Sequence, residues 1–420
     1  SRSKDSLAPR RWYPLLVLIF LVGVIFDQVL LMLISSMMMV LIAIAAWWNR
    51  RALDGIEYRR RFRYRRGFPD ETISLDIEVE NKKFLPVSWL RINDLWPEAV
   101  GPDQDNSLSH SHLPKIGLLI NVFSLRWYEK IRRSYSLLLR QRGVYTLGPV
   151  RLNSGDIFGF YESNREEESD VYVTVFPRQV PFKDIPFPTD DPFGDMKSHR
   201  RLYEDPTLPM GVREYRPEDD FRRVHWPASA RTGELQSKVY QPVTARVVVI
   251  CLNVSTFSRH WEGTNRAMLE YAVGITTSLA IQGIEDGFQV GLVSNGSLAK
   301  SDQSFRIAPA RSTRHLASML EALAAVTPLI TAPFDRFLIR EVPRLPYAAS
   351  LMLVTSVITP SLEETLMRLR KFNRRISLIA LDKDEPRSLP GIRIVHAPIP
   401  DDYMAEERIR KSAFSEELVT

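Results

Sequence analysis

The run ARVVVICLNV (Ala245–Val254) decides the fold class of the largest domain of this chain. Val247–Leu252 is apolar at every position, the pattern of a strand covered on both faces by helices rather than of one wetted on alternate residues. Downstream, Thr264–Gln282 spaces Ala267, Met268, Tyr271, Ala272, Ile275 and Leu279 along one helical face. The series continues with QVGLVS (Gln289–Ser294), a helical pattern over Thr313–Val326, SLMLVTS (Ser350–Ser356), a helical pattern over Ser361–Asn373, and ISLIAL (Ile376–Leu381). Apolar strands alternating with amphipathic helices predict an α/β domain with a mostly parallel sheet over residues 245–400. A charged tail, 401–420, follows it and is expected to form a peripheral helix.

Upstream, PFKDIPFPTDDP (Pro181–Pro192) is rich in proline and aspartate and reads as the start of a linker over 181–244. Before it, TISLDIEVENKK (Thr72–Lys83) puts Ile73, Leu75, Ile77 and Val79 on one face, and further short strands fit Leu137–Arg140, Val144–Leu147 and Val171–Phe176. Short alternating strands with turns between them predict a small β-sandwich over 53–180. The first of these strands, EYRRRFRYRR (Glu57–Arg66), alternates Arg59, Arg61, Arg63 and Arg65 with Tyr58, Phe62 and Tyr64. An arginine face of this kind can lie on anionic headgroups; it can equally be a solvated edge that resists aggregation.

The chain opens on a block from Trp12 to Trp48 whose only charged residue is Asp27. As one helix it would be roughly 55 Å long, against a hydrocarbon core of about 30 Å. Divided at Asp27-Gln28 it gives spans near 12–26 and 29–48, a hairpin anchor within residues 1–52. Arg10-Arg11 and Arg50-Arg51 flank it, and positive charge on both sides predicts two passes with both ends cytoplasmic. The alternative is one span preceded by an interfacial helix.

Charge and cysteine content narrow the function classes. Eight arginines against Asp54 and Glu57 lie between Arg50 and Arg66, a surplus that accounts for the whole formal charge of +6. The rest of the chain is balanced, which argues against a nucleic-acid groove. Cys251 is the one cysteine, so neither an internal disulfide nor a cysteine-type zinc site can form. No Walker-type loop, HExxH, G-x-S-x-G or dinucleotide fingerprint occurs.

Two motifs carry a family resemblance. GVREYRPEDDFRRVHWPASARTGELQSKVYQ (Gly211–Gln241) holds Arg213, Tyr215, Pro217, Asp219, Asp220, Arg222, Trp226, Ala228, Arg231, Thr232, Gly233 and Leu235 in a spaced order. RGVYTLGPVRLNSGDIFGFY (Arg142–Tyr161), followed by VFPR (Val175–Arg178), precedes it. Together they resemble the bacterial family called domain of unknown function 58. The resemblance implies a membrane-anchored protein of the bacterial inner membrane. It also implies a C-terminal von Willebrand factor A-like domain, and a MoxR-type AAA+ ATPase as protein partner. Such domains usually hold Mg²⁺ in an Asp-x-Ser-x-Ser motif at the end of their first strand. The matching positions here are Asn253, Ser255 and Phe257, with Thr355 at a neighbouring strand end. Asparagine and phenylalanine in place of aspartate and serine predict a degenerate site that takes no metal.

The signature segment reads as structural or interdomain. Pro217 suits a first helical turn, which would set Glu218–Arg222 and Asp219–Arg223 as i,i+4 ion pairs. The competing reading is a membrane-surface hydrolase using Asp219, Asp220 and His225. The expectation is therefore a membrane-anchored binding or scaffold protein without catalytic residues or a resident cofactor.

Overall fold

The computed structural model describes residues 8–103, 108–181, 203–216, 219, 221, 224–243, 247–259, 262–299, 301, 303–346, 349–372, 374–401, 403 and 404. The chain forms two compact units whose main division falls between Arg178 and Gln179.

In the first unit, α1 (Ala8–Ile25) and α2 (Val29–Ala52) pack along each other around a turn at Asp27. Gly23 permits this approach, since a Cβ there would stand 3.1 Å from Met32 Cγ. Only α2, with 24 residues and roughly 36 Å of length, is long and apolar enough among the described helices to cross a membrane. The apolar part of α1, Tyr13–Ile25, is shorter.

The strands after it are β1 (Ile56–Phe62), β2 (Arg66–Gly67), β3 (Thr72–Asn81), β4 (Val87–Pro97), β5 (Val100–Pro102), β6 (Leu108–Ser109), β7 (Ile116–Leu125), β8 (Lys130–Leu139), β9 (Gly143–Thr146), β10 (Val150–Gly155), β11 (Glu162–Glu167) and β12 (Tyr172–Val175). One sheet has the order β1-β3-β8-β5, a second β11-β10-β4-β7-β6, and a small third β2-β12-β9. Alternate residues of the two larger sheets, among them Leu75, Ile77, Leu90, Ile92, Leu119 and Leu137, meet in one core, as the two-residue period of a strand requires. Trp96 is buried in the same core and donates its indole N–H to the Val100 carbonyl.

Glu57–Arg66, read from the sequence as one strand, is two. β1 leaves its partner β3 after the Phe62–Leu75 pair, and the Arg65 carbonyl then accepts from the Thr174 N–H at 2.9 Å, so the chain changes sheets between them. Arg59 pairs with Glu57 and Arg61 with Glu78, while Arg63 and Arg65 lie beyond the end of β1.

In the second unit, β13 (Tyr203–Glu214) and β14 (Gln236–Val243) form a two-stranded ribbon enclosing α3 (Trp226–Thr232). Of the helical turn expected from Pro217, the described residues are Asp219, in a bend, and Phe221, in a 3-10 turn; α3 itself begins at Trp226. Pro217, Glu218, Asp220, Arg222 and Arg223 lie outside the described residues, as do linker residues 182–202 and tail residues 405–420.

The rest of this unit comprises β15 (Val247–Leu252), α4 (Arg266–Glu285), β16 (Gln289–Leu298), β17 (Ser304–Ala310), α5 (Thr313–Ala325), β18 (Val326–Ile330), α6 (Phe334–Glu341), β19 (Ser350–Thr355), α7 (Pro360–Lys371), β20 (Ile376–Ala380) and β21 (Arg393–His396). β16, β15, β19, β20 and β21 run parallel in that order, and β17 and β18 pair antiparallel with β16. Every residue of β15 is buried, with Val249 and Cys251 in a core shared with α6 and α7. Asn265, Ser312 and Thr359 each accept a backbone N–H at the start of α4, α5 and α7, which fixes where these helices begin.

Candidate functional site

The parallel strands deliver three polar side chains to one end of the sheet. Asn253 follows β15, Asn295 sits late in β16 and Thr355 closes β19; all three are buried. Asn253 Nδ2 donates to Thr355 Oγ1 at 2.9 Å, and Asn295 Nδ2 donates to Asn253 Oδ1 at 3.0 Å. The same Oδ1 accepts the Ser255 N–H at 3.1 Å, while Asn295 Oδ1 accepts the Val254 N–H at 3.0 Å. Thr355 Oγ1 also donates to the Val357 carbonyl at 2.8 Å, and Ser356 Oγ donates to the Ser255 carbonyl at 2.9 Å.

These bonds make a closed neutral network that holds the loop after β15 against the exits of β16 and β19. A hard divalent cation requires several oxygen ligands, normally with carboxylates among them. Here Asn253 presents a donor to Thr355 and commits its oxygen to two N–H groups. The residues present do not fit a metal of the adhesion-site type. No group of three or more His, Cys, Asp or Glu side chains is placed to bind one among the described residues. Ser255 is half-buried and Phe257 exposed, so these two reach the surface where Asn253 and Thr355 do not. Cys251, two residues before Asn253, is buried, and its thiol is pushed up to about 12 by desolvation.

The second cluster lies in the ribbon. Arg213 near the end of β13 donates Nη2 to Asp219 Oδ1 at 2.5 Å, and the Arg216 N–H donates to Asp219 Oδ2 at 3.0 Å. The Arg213 hydrogen bond, foremost, holds the Asp219 carboxyl below the usual carboxylate range. Tyr215 donates its hydroxyl to the Asp219 carbonyl at 3.1 Å, so both ends of this turn are tied to one residue. His225 is a helix cap: its Nδ1 accepts the Ala228 N–H at 3.1 Å. Gly233 ends α3 at φ 76°, the left-handed conformation that a glycine C-cap takes without strain. Arg231 in the last turn is exposed.

This frame presents aromatic rings. Phe221 packs edge-on to Trp226 at 5.6 Å and to Tyr215 at 6.4 Å. Phe221 is 58% and Trp226 59% exposed, far from the burial that large aromatics reach in a core. Asp219 and His225, two members of the hydrolase reading, are thus both engaged inside the turn and the helix cap.

Sequence reasoning missed Asn295 at the strand ends. It also missed a buried cluster in the first unit: Arg60 and Asp94, with side chains 4% and 0% exposed, joined by Tyr58. The local signal for Asn295 is an asparagine closing an apolar run; its partners lie far along the chain. Burial and the Asp94 charge push the Tyr58 hydroxyl well above its ordinary value.

Residues 211–398 match the family described as Protein of unknown function DUF58. The chain is 23% identical over 257 residues to the Uncharacterized protein YeaD of Bacillus subtilis (strain 168); the alignment covers 59% of this chain and 58% of that protein. Among solved structures, native alpha-2-macroglobulin from Escherichia coli, from domain MG7 to the C-terminus, is 12% identical with a TM-score of 0.22, covering 30% of this chain and 24% of that one. Spo0M, the sporulation control protein of Bacillus subtilis, is 11% identical with a TM-score of 0.17, covering 29% and 49%.

Proposed function

We propose, from the premise that residues 211–398 place this chain in the DUF58 family, that it is a membrane-anchored binding protein. On this reading α1 and α2 both enter the bacterial inner membrane, and both termini and the soluble units face the cytoplasm. The second unit is a von Willebrand factor A-like recognition domain that works without metal. The family resemblance supports the partner: a MoxR-type AAA+ ATPase, which would supply the nucleotide chemistry for assembling or maturing protein complexes.

One observation carries the proposal. The signature motif spends Arg213, Tyr215 and Asp219 on bracing a turn whose product is an exposed aromatic pair, Phe221 and Trp226. Exposed aromatics on a braced support fit the anchor residues of a protein interface, because large rigid rings lose little conformational entropy on binding. Ser255 and Phe257 at the strand end are a second contact, with Asn253 and Thr355 as their buried support.

The test is capture of a purified MoxR-type ATPase by the detergent-solubilised full chain, with and without EDTA. Wild type should retain the ATPase in both conditions. Phe221→Ala with Trp226→Ala should release it, and Ser255→Trp should weaken it. Equal capture by all variants would reject this interface, and loss on chelation would reject the metal-free mode.

A further inference from the structure

Three turns of the first unit gather where α2 enters it. Asn81 at the end of β3 is fully buried, and its amide donates to the Leu85 carbonyl at 3.0 Å and the Arg126 carbonyl at 2.8 Å. The β3–β4 and β7–β8 turns are thereby locked together, and the Tyr128 N–H adds a bond to the Lys83 carbonyl at 3.2 Å. Lys83 Nζ in turn donates to the carbonyls of Arg51 and Ala52, the last of α2. On the other sheet, Ser163 beside the β10–β11 turn donates to Asn49 Oδ1 at 2.9 Å, and Arg165 donates to the Leu53 and Ile56 carbonyls at 2.9 and 2.7 Å.

Each of these turns carries large apolar side chains that the core does not take. Phe84 is 72%, Trp127 58% and Tyr128 67% exposed, with the Phe84 and Trp127 rings stacked at 5.6 Å and 8°. In the β10–β11 turn Ile157 and Phe158 are exposed and Phe158 stacks on Phe160 at 5.9 Å. Trp47 in the last turns of α2 is exposed as well, under the guanidinium of Arg51 at 5.0 Å. Aromatic side chains are favoured at headgroup depth, where an apolar ring and a polar edge are both accommodated.

We propose that this end of the first unit is a lipid-contact face: the β3–β4, β7–β8 and β10–β11 turns rest in the interfacial zone of the bilayer that α2 enters. Lys83 in the β3–β4 turn and Ser163 beside the β10–β11 turn bond the last turn of α2, and the β7–β8 turn is held to the β3–β4 turn through Asn81, which puts all three near the height of its end; the contact rests on the anchoring reading above. It also assigns the membrane surface to these turns rather than to Arg61, Arg63 and Arg65. β1 runs away from α2, adding about 3.3 Å per residue, and Arg61 is already paired with Glu78.

The test uses the full chain in liposomes with spin labels at Phe84→Cys, Tyr128→Cys, Phe158→Cys and, as references, Met37→Cys in α2 and Tyr64→Cys beyond β1. Accessibility to oxygen and to a water-soluble nickel chelate is read at each position. The three turn labels should favour oxygen, as Met37 does, and Tyr64 should favour the chelate. Agreement of Tyr128 with Phe84 guards against a local effect of losing the ring stack. Turn labels matching Tyr64 while Met37 remains lipid-like would overturn the contact and leave the anchor intact. A water-like Met37 would overturn both. Accessibility that changes with protein-to-lipid ratio would assign the face to a second copy and equally sink the proposal.

Discussion

Arg60 closes both oxygens of Asp94 with a two-pronged grip: Nε lies 2.9 Å from Oδ2 and Nη2 lies 2.6 Å from Oδ1, with water excluded from both side chains. The remaining guanidinium nitrogen donates to Ser169 Oγ at 2.6 Å, and Tyr58 donates to Asp94 Oδ2 at 2.9 Å. The pair thus ties β1 to β4 across the two sheets. Losing one member strands the other charge. Asp94→Ala should cost about 3–5 kcal/mol of stability, measured by denaturant unfolding, and Asp94→Asn should cost less because Tyr58 keeps an acceptor. Equal losses for the two would show that the charge, and not the acceptor offered to Tyr58, carries the whole effect.

The strand-end network predicts its own sensitivity. Asn295→Ala leaves Asn253 Oδ1 short of one donor and the Val254 N–H without its acceptor, both in buried surroundings. A loss of about 1–3 kcal/mol follows from the stranded Val254 N–H, since Asn253 Oδ1 keeps the Ser255 N–H. Asn253→Asp with Phe257→Ser should raise Mg²⁺ affinity in titration calorimetry over wild type. An unchanged isotherm would mean that the strand-end alignment with the adhesion motif is wrong.

Asp219 gives the ribbon a pH dependence with a definite sign. Its carboxyl is held below the ordinary value of about 3.9, chiefly by Arg213. A depressed carboxyl stabilises the folded turn fully above the unfolded value, and the contribution is lost as pH falls through the folded one. The side-chain carboxyl resonance should therefore titrate below the ordinary range. Arg213→Gln should move it upward; a midpoint unmoved by that change would exclude the pair as the cause.

Lys83 shows the opposite case. Desolvation is the largest influence and brings its ammonium to about 8, against an ordinary lysine near 10.4. Between these values the unfolded chain holds the proton more firmly than the folded one, so the contribution to stability rises with pH across that window. A methyl-labelled Lys83 should titrate near the lower value. A midpoint in the ordinary range would contradict its burial beside the end of α2.

The anchoring itself is open to labelling. With cysteines at Ser3 and Asp54 in a background lacking Cys251, a membrane-impermeant reagent should reach neither site from outside intact cells. Reaction at either one would refute two passes with cytoplasmic ends.

The parts legible in the sequence were those whose signal is local. Val247–Leu252 announces a buried strand because all its residues are apolar, and α4, α5 and α7 start at residues with short polar caps. Pro206 and Pro209 concealed β13, since prolines argue against a central strand, yet a two-stranded ribbon tolerates them through register shifts. α3 left no clear signal because its start uses His225, a rare cap, ahead of Pro227. Arg60 could not be singled out among its arginine neighbours, because what distinguishes it is Asp94, 34 residues away. Asn295 owes its role to Asn253 and Val254, 42 and 41 residues earlier just past the end of β15, and was equally silent.

The junction at Lys83 and Arg165 has a mechanical consequence. α2 passes into β1 through a turn at Gly55, with the Arg51 and Ala52 carbonyls held by Lys83 and the Leu53 carbonyl by Arg165, so a swing of the strands about this junction would have to break these bonds. On the proposed anchoring it behaves as a mast rather than a float on a tether. It can spin about the bilayer normal but keeps a constant height and tilt, so two copies drifting in one membrane always meet at the same level.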